Sequence, residues 1–205
     1  MKKLAFLSAI VSIFLCACGP TVKLSSSWRA PDAAHQQFNK ILVLVIAPAK
    51  YSDAGRIGEQ QLAAELKANG INAVSAQDEF GPNKFRNEDE QTVLAKLRKS
   101  GDDAIIVTSL LDVEKEKRYV QGAAWPPPYY GRFWGYYSFW YARTYDQGYY
   151  ETTKKYYLET NLYQLANNKL LYSVQSQTID PGSPESVAKT FSKLIVKDMK
   201  AKQVI

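Results

Sequence analysis

Lys40-Ile41-Leu42-Val43-Leu44-Val45-Ile46, closed by Ala47-Pro48, decides how the chain folds. The run is continuously apolar and rich in β-branched residues, with no polar alternation. A strand of that kind is buried on both faces, as strands are in a parallel sheet covered by helices. A parallel neighbour needs a crossover, and the downstream sequence supplies one. Ser52 or Asp53 can cap a helix over residues 54–69. In it Ala54, Gly58, Leu62 and Leu66 recur every fourth residue, with Ile57 and Ala63 beside them, which makes one apolar face. Gly70 is a fitting stop, and residues 71–76 read as a second strand.

The same alternation of elements continues outward. Asn87, followed three residues later by Glu90, opens a second helix with Val93, Leu94 and Leu97 on its inner face. Residues 104–113 form a third strand, and its tail Asp112-Val113-Glu114-Lys115-Glu116-Lys117 reads as a solvated edge. Residues 156–165 and 170–179 are two further strands. Asn167-Asn168 forms the turn between them, because Asn tolerates positive φ. Ser183-Pro184-Glu185 starts the last helix with a cap, a Pro at the first helical position and an acid at the positive dipole end. Val187, Phe191, Leu194, Ile195 and Met199 form its apolar stripe. The expected fold class is α/β: a mixed-sheet sandwich of order β-α-β-α-β, an aromatic insertion, then β-β-α.

Upstream of the domain the pattern changes. Met1-Lys2-Lys3 is a short positive segment, and residues 4–15 are apolar without a charge. That stretch is too short to span a bilayer, which takes about 20 residues, and it reads as a cleavable export signal. Leu15-Cys16-Ala17-Cys18-Gly19 resembles the lipobox of bacterial lipoproteins: a large apolar residue, small neighbours, then a Cys. The resemblance implies cleavage after Ala17, loss of residues 1–17, and a diacylglyceryl thioether with acyl chains such as palmitate on Cys18. The membrane partner is then the bilayer, through the lipid on Cys18. Gly19 in place of Asp favours the periplasmic face of the outer membrane under enteric-type sorting. Residues 18–37 are rich in Ser, Pro and Ala and read as a lipidated tether, with Trp28 packing on the domain edge or the lipid interface. Residues 38–200 are then a single α/β domain.

Composition narrows the chemistry. The formal charge of +6 is spread over 26 Lys and Arg without a cluster, so no nucleic-acid partner is expected. Both cysteines lie in the lipobox, leaving none for a disulfide inside the domain. His35 is the only histidine and sits in the tether, which removes the usual zinc, copper and His-triad chemistry. No metal and no cofactor are expected. Gly55-Arg56-Ile57-Gly58 follows a strand and opens a helix, but it lacks the Lys-Ser/Thr ending of a phosphate loop; close helix packing at Gly58 explains it better. Arg56 and Glu59, three apart, read as a surface ion pair. Asp112, Glu114 and Glu116 share one side of a strand, where a hard cation could bind; the alternating Lys115 and Lys117 favour a solvated face. No catalytic constellation emerges.

Residues 119–150 stand apart. They carry 14 aromatic side chains and, as charges, only Arg132, Arg143 and Asp146. Pro126-Pro127-Pro128 and Gly131, Gly135 and Gly148 deny the segment long regular structure. Three readings compete: a self-packed or disordered loop, a binding surface, and insertion at a membrane interface. Tyr and Trp suit the second because they offer large stiff contact area with a polar tip, and the third because they are enriched at membrane–water interfaces. The candidate binding residues are Tyr129, Tyr130, Trp134, Tyr137 and Trp140. The envelope partner would be a protein or peptidoglycan glycan.

Several pieces together resemble a group of small bacterial lipoproteins whose domain is similar to the N-terminal α/β domain of TolB. They are Phe38-Asn39-Lys40 leading into 41–46, Arg56 and Glu59 with Leu62-Ala63 and Glu65-Leu66, Asn69-Gly70-Ile71, and Tyr149-Tyr150-Glu151. The hairpin through 165–170 and the closing helix match as well, so the resemblance covers most of 38–200. It implies an envelope accessory protein and carries over no catalytic residues. The expected function is therefore a non-enzymatic, lipid-anchored envelope protein that binds through its aromatic loop. The alternatives are a carboxylate-dependent enzyme acting on cell-wall glycan and a self-assembling structural lipoprotein.

Overall fold

A computed structural model describes residues 21–33, 36–82, 85, 87–120, 133–137 and 149–205. The strands are β1 (Thr21–Arg29), β2 (Ile41–Ile46), β3 (Ala73–Ser75), β4 (Ala104–Val120), β5 (Tyr149–Gln164) and β6 (Lys169–Ile179). The helices are α1 (Ser52–Ala68), α2 (Ala76–Phe80), α3 (Glu90–Lys99) and α4 (Pro184–Ala201), with one helical turn over residues 133–137. The strands form one sheet in the order β1-β6-β5-β4-β2-β3. β2 is parallel to both β3 and β4, and the remaining pairs are antiparallel. The architecture is the expected α/β sandwich with a mixed sheet.

The unbroken run in β2 is explained by cover on both faces. Val43, Ile106, Leu162 and Tyr172 lie in register across four strands. They are buried under Leu62 and Leu66 of α1 and Phe191, Ile195 and Met199 of α4. On the opposite face Leu42 and Ile105 are buried with Leu97 of α3, and Val93 and Leu94 pack against them. The stripe of α4 sits slightly round from the expected one: Ala188, Ser192 and Val196 are buried beside Phe191, Ile195 and Met199. Capping also differs at α3. Its N-cap is Asp89, which accepts from the Thr92 N–H at 3.0 Å, while Asn87 takes a positive φ of 61° in the loop before it. At the last helix the expected cap is present, with Ser183 Oγ accepting from the Ser186 N–H.

Glu59 corrects the sequence expectation of a surface pair with Arg56. It is 1% exposed. Its Oε1 accepts from the Val45 N–H at 2.9 Å, and its Oε2 accepts from Ser75 Oγ at 2.8 Å and the Gln77 N–H at 3.0 Å. One carboxylate thus ties α1 to the exit of β2 and to the junction of β3 with α2. Arg56 donates to Gln60 Oε1 instead.

A second correction falls in the expected tether. Residues 21–29 form β1, an edge strand antiparallel to β6, with Thr21 opposite Ile179 and Arg29 opposite Tyr172. The register shifts between Leu24 and Ser26, which marks a bulge at Ser25. Val22 and Leu24 face the helices before the bulge and pack on the core. After it the helix-facing positions are Ser27 and Arg29. Ser27 Oγ donates to Asp198 of α4, and Arg29 Nη1 donates to the Lys202 carbonyl at 2.8 Å. Trp28 is half exposed on the other face of this edge. The domain also closes further down the chain than residue 200, since Val204 is fully buried.

The third strand runs further than expected, through residues 111–120. They form a solvated edge, as the alternating charges at 112–117 imply. They continue β4 past a bulge near Leu111 and pair with the start of β5, from Asp112 opposite Tyr157 to Val120 opposite Tyr149. From Lys115–Lys154 outward, β4 and β5 pair only with each other. The six pairs of this ribbon extend about 20 Å beyond the sheet.

Candidate functional site

The candidate contact surface begins on that ribbon. A two-stranded ribbon has water on both faces, so charges on either side cost little. Lys155 pairs with Glu116 at 2.7 Å and with Glu114 at 3.8 Å, and the Tyr157 hydroxyl donates to Glu114 Oε2 at 2.9 Å. The suggested cation ligands Glu114 and Glu116 thus carry a lysine between them, as a solvated face would. Nearer the tip the ribbon turns aromatic. Tyr119 and Tyr150 are opposite each other in register, with ring centroids 5.2 Å apart edge to face, and Tyr149 beside them is exposed. The outer pairs of the ribbon take up both ends of the expected insertion at 119–150, which therefore has structured margins.

Within the insertion, residues 133–137 form a helical turn. Trp134 and Tyr137, three apart on one face, stack with centroids 5.7 Å apart, and Phe133 stacks on Tyr137 at 5.8 Å. Phe133 and Trp134 are 77% and 70% exposed. Two of the five candidate binding residues, Trp134 and Tyr137, are thus brought together in an aromatic cluster. Tyr129, Tyr130 and Trp140 lie outside the described residues, as do Cys18, the signal segment and His35. No helix among the described residues is long and apolar enough to cross a membrane.

A second feature was not expected from the sequence. A cavity of about 340 Å³ opens between the sheet and the first turns of α1 and α4. Its floor includes Val45 and Thr178, near the ends of β2 and β6, and Leu110 and Leu158, midway along β4 and β5. Gly55 and Gly58 of α1 form one wall, where added Cβ atoms would lie 3.5 and 3.7 Å from Val45. Val187 and Phe191 of α4 form the other. The position fits the tendency of open α/β sheets to bind ligands outside the carboxyl ends of parallel strands.

Among the described residues no Asp, Glu, Lys, Arg or His lines the cavity. Its polar atoms are hydroxyls, and most are engaged. Thr108 Oγ1 shares a hydrogen bond with Thr160 Oγ1 at 2.9 Å. The rings of Tyr51 and Tyr156 meet edge to face at 5.9 Å, and burial, followed by the neighbouring Tyr51, holds the Tyr156 hydroxyl above its ordinary value. Thr178 differs. It is 1% exposed, and its Oγ1 has no hydrogen-bond partner among the described residues. A buried hydroxyl without a partner costs about 1–3 kcal/mol. Thr178→Val keeps the shape and removes that cost. The variant of the ligand-free protein should gain about 1 kcal/mol in urea denaturation, and a loss of stability would mean that the hydroxyl is satisfied in the folded protein.

No family model matches the chain, and no curated protein matches it. Among solved structures it is similar to a PelC dodecamer from Paraburkholderia phytofirmans, with 15% identity, 83% of this chain and 91% of that chain covered, and a TM-score of 0.43. It is also similar to the lipoprotein GNA1162 from Neisseria meningitidis, at 15% identity, covering 79% of this chain and 98% of the other, with a TM-score of 0.41. A minor lipoprotein from Acinetobacter baumannii is similar at 13% identity, with 80% and 94% covered and a TM-score of 0.33. Bacterial lipoproteins are thus among the structures it is similar to. Likeness of this degree carries no argument about function, which rests on the chain itself.

Proposed function

We propose that the protein is a lipid-anchored envelope accessory protein that works by binding, with the aromatic ribbon and insertion as its contact surface. The observation that carries this reading is the ribbon: six strand pairs project past the sheet and end in exposed Tyr119, Tyr149 and Tyr150. Large aromatic area on a support of paired strands suits protein hot spots. The location of Thr21 adds to the reading. Thr21, Ile179, Lys155 and Glu114 lie on one row across the sheet, where the ribbon leaves the body. Thr21 follows Cys18 by three residues, a reach of about 10 Å. With a lipid on Cys18, the domain sits close against the outer membrane rather than on a long leash. A glycan hydrolase would need two converging acids, and the described residues that line the cavity between α1 and α4 include none.

The test is deletion of residues 124–147, joined by a short turn, in the full-length protein. Crosslinking pull-downs from intact cells should lose the envelope partners, whether protein or peptidoglycan, while membrane fractionation stays unchanged. An unaltered set of partners would remove the insertion from the contact surface. Size measurement of the same pair of proteins separates self-assembly from partner binding.

A further inference from the structure

The cavity between α1 and α4 plays no part in the binding role of the aromatic ribbon, and its chemistry narrows what can fill it. Glycans and nucleotides need several hydrogen-bond partners or charges. Here the walls are apolar, and among the described residues no ionisable acid or base beyond tyrosine lines them and Thr178 has the one buried hydroxyl in them without a partner. The lining therefore calls for a long apolar body. A fatty acyl chain joined through an ester or amide carbonyl has that form. At about 340 Å³ the cavity falls at the small end of ligand pockets, roughly 300–1,000 Å³, which suits one chain rather than two.

The fold also says where such a chain would come from. Thr178 lies on β6 directly opposite Val22 of β1. Val22 packs on the same core as the cavity wall residue Phe191. From Val22 the chain runs back through Thr21 towards Cys18, and the residues between Cys18 and Thr21 reach about 10 Å at full extension. The partnerless hydroxyl is therefore on the strand next to the one that leads to the lipid attachment point.

We propose that the cavity holds one fatty acyl chain of the lipid on Cys18 of the same molecule. The inference rests on the lipoprotein reading of Cys18. One chain is sheltered by the domain and the others stay in the bilayer, so anchorage is weaker than the number of acyl chains implies.

The experiment uses the full-length protein from cells fed a diazirine-bearing fatty acid. After purification in detergent and irradiation, peptides are mapped by mass spectrometry beside an intact-mass measurement. The expected product is the Cys18 peptide joined through its lipid to peptides containing Leu158 or Phe191. Ala54→Phe, which fills the mouth of the cavity, should reduce that product at least several-fold and slow transfer of the protein between vesicles, with circular dichroism checking that it folds. If intact mass finds Cys18 without lipid, the anchoring reading and this inference both fall. If Cys18 is acylated but its chain joins only phospholipid or peptides outside the cavity, the inference alone falls. Cavity peptides carrying a phospholipid in place of the Cys18 peptide overturn it in the same way.

Discussion

Glu59→Ala should lower the free energy of unfolding by roughly 3–4 kcal/mol, among the larger effects of a single substitution. From the described residues the carboxylate receives at least three hydrogen bonds, two of them from backbone N–H groups that cannot turn elsewhere. Removing it leaves the partly buried donors of Val45 and Gln77 without their acceptor, each at a cost of up to about 1–3 kcal/mol, while Ser75 can rotate its hydroxyl. The penalties overlap because a small void can admit water, so the sum stays below the three taken separately. Glu59→Gln keeps one acceptor oxygen for Val45 but turns an NH₂ group towards the Gln77 N–H. Its cost should lie between wild type and Ala. Urea denaturation of the three proteins checks this order. A loss below about 1 kcal/mol for Ala would return Glu59 to the class of surface ion pairs.

Tyr172→Phe should cost about 2 kcal/mol at pH 7, the range for a hydrogen bond to a charged group. The Tyr172 hydroxyl is buried and donates to Asp198 Oδ2 at 2.6 Å, and Ser27 donates to the same oxygen. Burial, followed by the hydrogen bond to the Asp198 carboxylate, holds the phenol far above its ordinary range. The pH dependence follows from the direction of that shift. The folded value is raised, so the stabilisation is complete below the unfolded value near 10 and is lost as the pH rises above it. Unfolding then releases a proton the folded state keeps, and stability falls by about 1.4 kcal/mol per pH unit. The Phe variant lacks this proton. Its stability curve should start lower, fall less steeply above pH 10 and approach that of the wild type. Parallel curves would show that Tyr172 ionises alike in both states.

The readable parts of the chain are those whose side chains face one environment along their length. β2 is apolar throughout because helices cover both of its faces, and α1 and α3 show their inner faces at helical spacing. β1 hides its period. The bulge at Ser25 moves the inward positions from Val22 and Leu24 to Ser27 and Arg29, and these are polar because they bind Asp198 and the end of α4. The ribbon beyond residue 111 is solvated on both faces, so its charges alternate with no apolar side to mark a strand. Glu59 has the spacing of a surface pair, and only the tertiary donors around it show that it is buried. The aromatic cluster was visible from composition, and Trp134 with Tyr137 were among the residues singled out. The cavity was not visible. Four strands and two helices each give it between one and four ordinary apolar or small residues, and its one partnerless hydroxyl, on Thr178, is one Thr among many.

The edge position of β1 bears on biogenesis. The first strand of the domain is held by β6 and α4, which lie about 150 residues later in the chain, as in the contact of Ser27 with Asp198. During synthesis and export β1 has no partner until the C-terminal part of the chain has emerged, and contacts of such sequence separation close late. The N-terminus is therefore loose while an export signal would be removed and a lipid attached, and it becomes fixed to the sheet only when the last helix is in place. On the lipoprotein reading, processing would thus come before closure of the domain, and an early stop that removed α4 would leave β1 without its dock.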